Sequence, residues 1–318
     1  MQKSLTSGQA GLILALFSVA LKLSVLPAIL NDYAANNSYI ACLVALAIDF
    51  VISLIIINIM KKVPDKTFFD LLKDTFSKPV AIIISSLLLI YFVIKSFISL
   101  LELHDYYIAS LFEELNPLFF IITFLLLLIW LFTKSFRNLG RTLQVVFWPM
   151  ALGLMFVLIY PIRDVQITNL LPLFTNGVYP IFNGVFHTVF AFDDYIILLM
   201  IMGHIDFNKS TRKTLLLYLF SALSFVFNFY VIFVGSFGNT AVNQTLALNE
   251  VPLHNPYPAT LGRLEWLTII IWTSILLLES AILGKCACTC FDNIVKPSVR
   301  KYSNIVLVGI ISIGTIFT

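Results

Sequence analysis

The stretch PIFNGVFHTVFAFDDYIILLM, residues 180–200, is long enough to cross a bilayer, yet it carries Asp193 and Asp194 side by side. A transmembrane helix needs about 20 predominantly apolar residues, and a charge at its centre costs roughly 2.5–3.5 kcal/mol on insertion scales. Neighbours on a helix are turned by about 100°, so the two carboxylates cannot share one face of a regular helix. Unwinding would let both point into a cavity, and Asn183, Gly184, His187 and Thr188 lie just ahead of them. Polar residues at a helix break in mid-membrane are the sequence pointer to a transporter-type binding site. Two like charges this close also leave one of them able to exchange a proton. His187 by itself is expected as a hydrogen-bonded core residue.

Working outward, the first apolar run repeats the pattern with the opposite sign. Lys22 lies some fifteen residues into it, flanked by Ser18 and Ser24 and followed by Pro27. At about 1.5 Å per residue this is past the midplane. Asp49 is central in the second run, Glu279 lies deep in the eighth, and Lys95 sits nearer one end of the third, where it is expected to snorkel outward. For Lys22 and the two aspartates, two readings stay open: a buried ion pair that locks two helices, or a substrate or proton site.

Composition sets the class. Hydrophobic residues make up 59% of the 318, charged residues only 12%, and the mean hydropathy is +0.96. Soluble domains carry about 25% charged residues, so this surface cannot face water all round. Apolar runs between polar breaks place spans at 8–30, 38–60, 79–101, 116–133, 143–162, 181–203, 215–235, 266–287 and 303–318. The expectation is an all-α, multipass membrane helix bundle forming a single transmembrane domain. The last run stops inside GIISIGTIFT with no polar flank, which reads as truncation. Of the 20 Lys and Arg, 16 fall on one side of this arrangement and only Arg163 and Arg263 on the other. The positive-inside rule then places the N-terminus in the cytoplasm. Runs this long exclude a transmembrane β-barrel.

The connecting segments have character of their own. KKVPDKTFFDLLKDTFSK, 61–78, reads as a short interfacial amphipathic helix. Segment 102–115, with Glu102, Asp105, Glu113 and Glu114, reads as a short surface helix. Segment 236–265 is long and polar, with Pro252, Pro256 and Pro258, and is either a solvated loop or a lid or partner surface. Cys286, Cys288 and Cys290 form CACTC at a helix end, expected as reduced thiols or an acylation site rather than a disulfide or metal site. There is no GxSxG, HExxH or Walker pattern, so no catalytic site, cofactor or metal is expected, and nothing supports nucleic-acid binding.

The order of several motifs resembles the spore germination permease family, the B subunit of nutrient germinant receptors within the amino acid–polyamine–organocation superfamily. The similarity covers nearly the whole chain. Gln9 and Pro27 bracket the first helix, and GRTLQVV (140–146, with Arg141) looks like the family's inner loop entering helix five. NLLPLFTNGVYPIFNG (169–184) looks like the outer loop into helix six, and FAFDD (190–194) stands where the family has an aromatic–Gly–Glu step. FGN (237–239), then GRLEWL (262–267) and Trp272, look like the exit from the long outer loop. Ala20 stands where the family tends to have Gly, Lys22 is an unexpected cation, and only Asp194 matches the family's carboxylate.

The resemblance implies a five-plus-five inverted repeat with broken helices one and six around a small-ligand site, a tenth helix being absent from this chain. It implies a nutrient, an amino acid above all, bound in concert with the A and C subunits of a germinant receptor in the spore inner membrane. Taken together with the mid-membrane charges, it gives as ligand-binding residues Ser18, Ala20, Lys22, Ala191, Phe192, Asp193 and Asp194, with backbone groups at Ala20 and Ala191, and the charges by themselves add Asp49 and Glu279 as candidates for proton coupling. Lys22 either adds to the ligand's carboxylate site, pairs with Asp193 and closes it, or acts in place of a coupling cation. The alternatives are a proton-coupled amino-acid transporter without a germination role, a membrane enzyme using the two aspartates as acid and base, and an inactive permease relative.

Overall fold

The computed structural model describes residues 5–110, 117–171, 173–174, 177–253, 264–295 and 300–316. Thirteen α-helices are described. The first two are α1 (Ser7–Val19) and α2 (Leu26–Ala34), followed by α3 (Ser38–Lys62), α4 (Phe68–Thr75), α5 (Lys78–Ser110), α6 (Pro117–Phe132) and α7 (Phe136–Ile159). Then come α8 (Tyr179–Thr188), α9 (Tyr195–Ile201), α10 (Thr211–Phe237), α11 (Ala247–Leu253), α12 (Leu264–Ile294) and α13 (Ser303–Ile316). The chain is thus an all-α bundle, and the single backbone bridge among the described residues ties Leu5 to Ile205.

Six helical stretches are long and apolar enough to cross a membrane, and the shorter apolar helices Ser7–Val19 and Ile122–Phe132 fall where the first and fourth sequence spans lie. One of the six, Leu26–Lys62, contains a reversal: Ala35 takes φ +48° between α2 and α3, which pack on each other.

The outer surface explains why this bundle belongs in lipid. On α5, Ile83, Leu87, Ile90, Ile94 and Ile98 are all exposed at three- and four-residue spacing. A contiguous apolar stripe of this kind is untenable in water but suits acyl chains. The opposite side of α5 packs along α12, while α1 packs against α10 and α7, and α3 against α10 and α8. Tight crossings use small residues: a Cβ on Gly284 of α12 would come within 2.0 Å of the Phe132 ring on α6.

The short helix expected within 61–78 is present as α4, capped by the Thr67 hydroxyl, which accepts from the Asp70 amide. The expected surface helix at 102–115 is corrected. Residues 102–110 continue α5 without a break, and Glu102 is buried because the helix carries it into the bundle. Glu113 and Glu114, like Pro256 and Pro258 of the polar loop, lie outside the described residues. The described part of that loop is ordered into a 3-10 turn (Gly238–Asn243) and α11. All four cysteines are free and buried, so the CACTC thiols pack inward instead of presenting themselves for acylation.

Candidate functional site

Two helices stop in the middle of the bundle. The first is α1. Its start is held by a capping box in which Thr6 and Gln9 each accept from the other's amide. Gln9 also donates to Gln144 at 3.1 Å, which joins the first motif to GRTLQVV on α7. The helix ends at Ala20 in extended conformation, and Leu21 then takes φ +63°. A positive φ at a non-glycine residue is strained, so the unusual backbone lies at Leu21, one residue beyond the position read as the family's glycine. The opened backbone finds outside partners: the Ser24 carbonyl accepts from the Ala247 amide at 3.0 Å.

The second break follows α8. A 3-10 turn (Val189–Ala191) leads into Phe192, Asp193 and Asp194, and the carbonyls of Asp193 and Asp194 accept from the Ile196 and Ile197 amides of α9. Because this segment is unwound, Asp193 and Asp194 point to different partners. Lys22 Nζ donates to Asp194 Oδ1 at 2.5 Å and to the Phe17 carbonyl at 3.2 Å, and lies 5.7 Å from the Phe192 ring centre. Asp193 is held from α5, where both the Lys95 ammonium and the Tyr91 hydroxyl donate to it.

The expected outward snorkelling of Lys95 is therefore overturned. With Asp193 in reach, the lysine gains an ion pair inside the bundle, which compensates for leaving the interface. Lys22 pairs with Asp194 rather than Asp193. Side-chain exposure at Lys22 and Asp194 is 0% and 1%, so this pair is shut off from solvent.

Further polar groups extend the cluster. Asp49 of α3 lies within hydrogen-bonding reach of Asp194. The Tyr195 amide is also within reach of Asp49, while Asp194 Oδ2 has no donor among the described residues. Glu279 of α12 accepts from Ser99 at 3.0 Å, and Ser99 also accepts from Ser280. Ser18 is buried with its hydroxyl bonded to the Leu14 carbonyl of its own helix. Ala191 lines a lateral cavity of about 700 Å³ together with Leu21, Tyr91 and Lys95. His187 is exposed and stacks on Tyr33 at 4.2 Å, so the expected hydrogen-bonded core histidine is not found there.

The structure thus gathers Lys22, Phe192, Asp193, Asp194 and Asp49, leaves Glu279 one step away, and ties Ser18 to its own helix. Sequence inspection missed Tyr91 and Ser99 and misplaced Lys95 and Glu102. The signal was available: Tyr91, Lys95, Ser99 and Glu102 recur at helical spacing as a polar stripe on α5. Among the described residues, no cluster of three or more His, Cys, Asp or Glu is arranged to hold a metal ion.

Residues 4–318 match the family described as "Spore germination protein". No curated protein matches the chain.

Proposed function

This chain belongs to the spore germination protein family, and on that premise we propose that it is a permease-like germinant receptor subunit that binds a small nutrient where the two helix breaks meet. The observation that carries this is the closed Lys22–Asp194 pair bridging the breaks. An amino acid has the charges to part it, since its carboxylate can replace Asp194 at Lys22 while its ammonium group replaces Lys22 at Asp194.

In this proposal Lys22 and Asp194 make the charged contacts, and Ser18, Ala20, Ala191, Phe192 and Asp193 complete the pocket around them. The molecule would work with A and C receptor subunits in the spore inner membrane, its N-terminus in the cytoplasm, within a five-plus-five inverted-repeat fold.

The test is a thermal-shift screen of the purified protein against amino acids, sugars and nucleosides. A ligand at about 100 times its Kd stabilises the folded state by about 2.7 kcal/mol. A shift for one ligand class, lost in both Lys22→Ala and Asp194→Asn, supports the site. A wild type unmoved by any of them, with Lys22→Ala destabilised, makes the pair a structural lock only.

A second reading is favoured by the closeness of the Asp49 and Asp194 carboxylates, with Asp194 Oδ2 lacking a donor among the described residues. A proton held between these carboxylates would satisfy both, and its release would couple ligand movement to protons, with Glu279 as a further relay. That describes a proton-coupled amino-acid transporter without a germination role. Accumulation of labelled amino acid in proteoliposomes under a proton gradient separates the two, because a pure receptor binds without accumulating.

A further inference from the structure

At the cation-rich end of the bundle, α3 and α10 enclose a groove of about 970 Å³ that plays no part in the site above. Its mouth is lined by Lys61, Lys209, Arg212 and Lys213, and none of its lining residues is acidic. All four cations are exposed. The positive-inside rule asks for cations at this end, but not for four of them around one concavity.

Two of them sit where helix physics disfavours them. Arg212 and Lys213 occupy the first turn of α10, which holds no acid, and the helix dipole makes cations unfavourable there. An anion in the groove would turn that repulsion into attraction.

The rest of the groove is apolar and runs inward. Phe50 lies eleven residues before Lys61 on α3, about 16 Å at 1.5 Å per residue and three turns along the same face. Leu217 and Phe220 continue one face of α10 from Lys213 and are exposed. A charged mouth above an apolar trough matches an amphiphile rather than a free anion. Basic pockets between transmembrane helices bind anionic headgroups.

We propose that this groove binds one anionic glycerophospholipid, with its phosphate among the four cations and an acyl chain along Phe50, Leu217 and Phe220.

The test is native mass spectrometry of the full chain with phosphatidylglycerol, phosphatidylcholine and inorganic phosphate. The variants are Arg212→Gln/Lys213→Gln and, as a control losing the same charge at the same end outside the groove, Lys73→Gln/Lys78→Gln. One phosphatidylglycerol should be retained in preference to phosphatidylcholine. Each groove cation removed should weaken it about fivefold, at about 1 kcal/mol per Lys or Arg, and the control should not change it. Equal weakening in the control would reduce the effect to diffuse attraction. Equal retention of phosphatidylcholine would mean non-selective lipid, and competition by inorganic phosphate at similar affinity would mean a small-anion site. Binding of a polyglutamate peptide with no lipid preference would assign the groove to an acidic protein partner. If the double variant does not fold, the exposed single change Arg212→Gln carries the same comparison.

Discussion

Lys22 and Asp194 are 172 positions apart in sequence and 2.5 Å apart in space, each standing at the break of a different helix. Neither break would be stable alone. An unwound backbone in the apolar interior leaves polar groups without partners, and an isolated charge there is costly. Brought together, each charge neutralises the other, and neighbouring segments supply hydrogen bonds to the backbone.

That relationship predicts strong non-additivity. Lys22→Met should destabilise the protein by about 3–5 kcal/mol, because it strands a buried carboxylate. The double variant Lys22→Met/Asp194→Leu should recover much of the loss. Thermal unfolding in one detergent gives the coupling energy, and additive losses would mean that the pair is not a unit.

Asp193 is held by two donors, so its losses should be graded. Tyr91→Phe removes the hydroxyl's hydrogen bond to Asp193 and the one it accepts from Lys95, a hydrogen bond to a charged group being worth about 1.5–3 kcal/mol, and leaves the ion pair itself in place. Lys95→Met should cost more than Tyr91→Phe. The reverse order in a thermal-melt comparison would show that the hydroxyl, not the ammonium group, dominates at this carboxylate.

The crossing of α12 and α6 depends on Gly284. Helix propensity alone favours Gly284→Ala by about 1 kcal/mol, but the added methyl would meet the Phe132 ring. Overpacking of this kind costs about 1–3 kcal/mol, so the variant should melt lower than wild type. Adding Phe132→Leu should restore it. A higher melting temperature for Gly284→Ala alone would show that the crossing relaxes freely.

His204 follows α9, outside the spanning segments. Burial, and after it the nearby Lys285, hold its imidazole below the ordinary value of 6.5. As pH falls through about 6.5 the unfolded chain takes up the proton first, so stability is lost with falling pH until the folded state also protonates. Melting temperatures recorded from pH 7.5 to 5.5 should fall more steeply for wild type than for His204→Asn. Parallel curves would remove His204 as the cause.

Much of the fold was legible because lipid imposes simple rules on sequence. Every apolar run needs a minimum length, and its backbone must satisfy itself, so the helical segments of the described residues fall close to the runs marked by composition. The two breaks were legible for the same reason: a charge in mid-membrane with Ser, Gly or Pro around it is rarely compatible with an ordinary helix. Family membership was legible in the order of motifs, and Gln9 and the GRTLQVV segment do meet, through Gln144.

Partner choice was not legible. Lys95 read as a cation near a helix end, and only the approach of α5 to the unwound segment gave it Asp193. Glu102 read as a surface acid, and only the unbroken length of α5 buried it. Sequence alone determined that this chain is a helical membrane bundle with two charged helix breaks, because hydropathy and helix period are local properties. Only the tertiary structure decided which lysine answers which aspartate, because an ion pair depends on distances of a few ångströms between segments that the chain order leaves far apart.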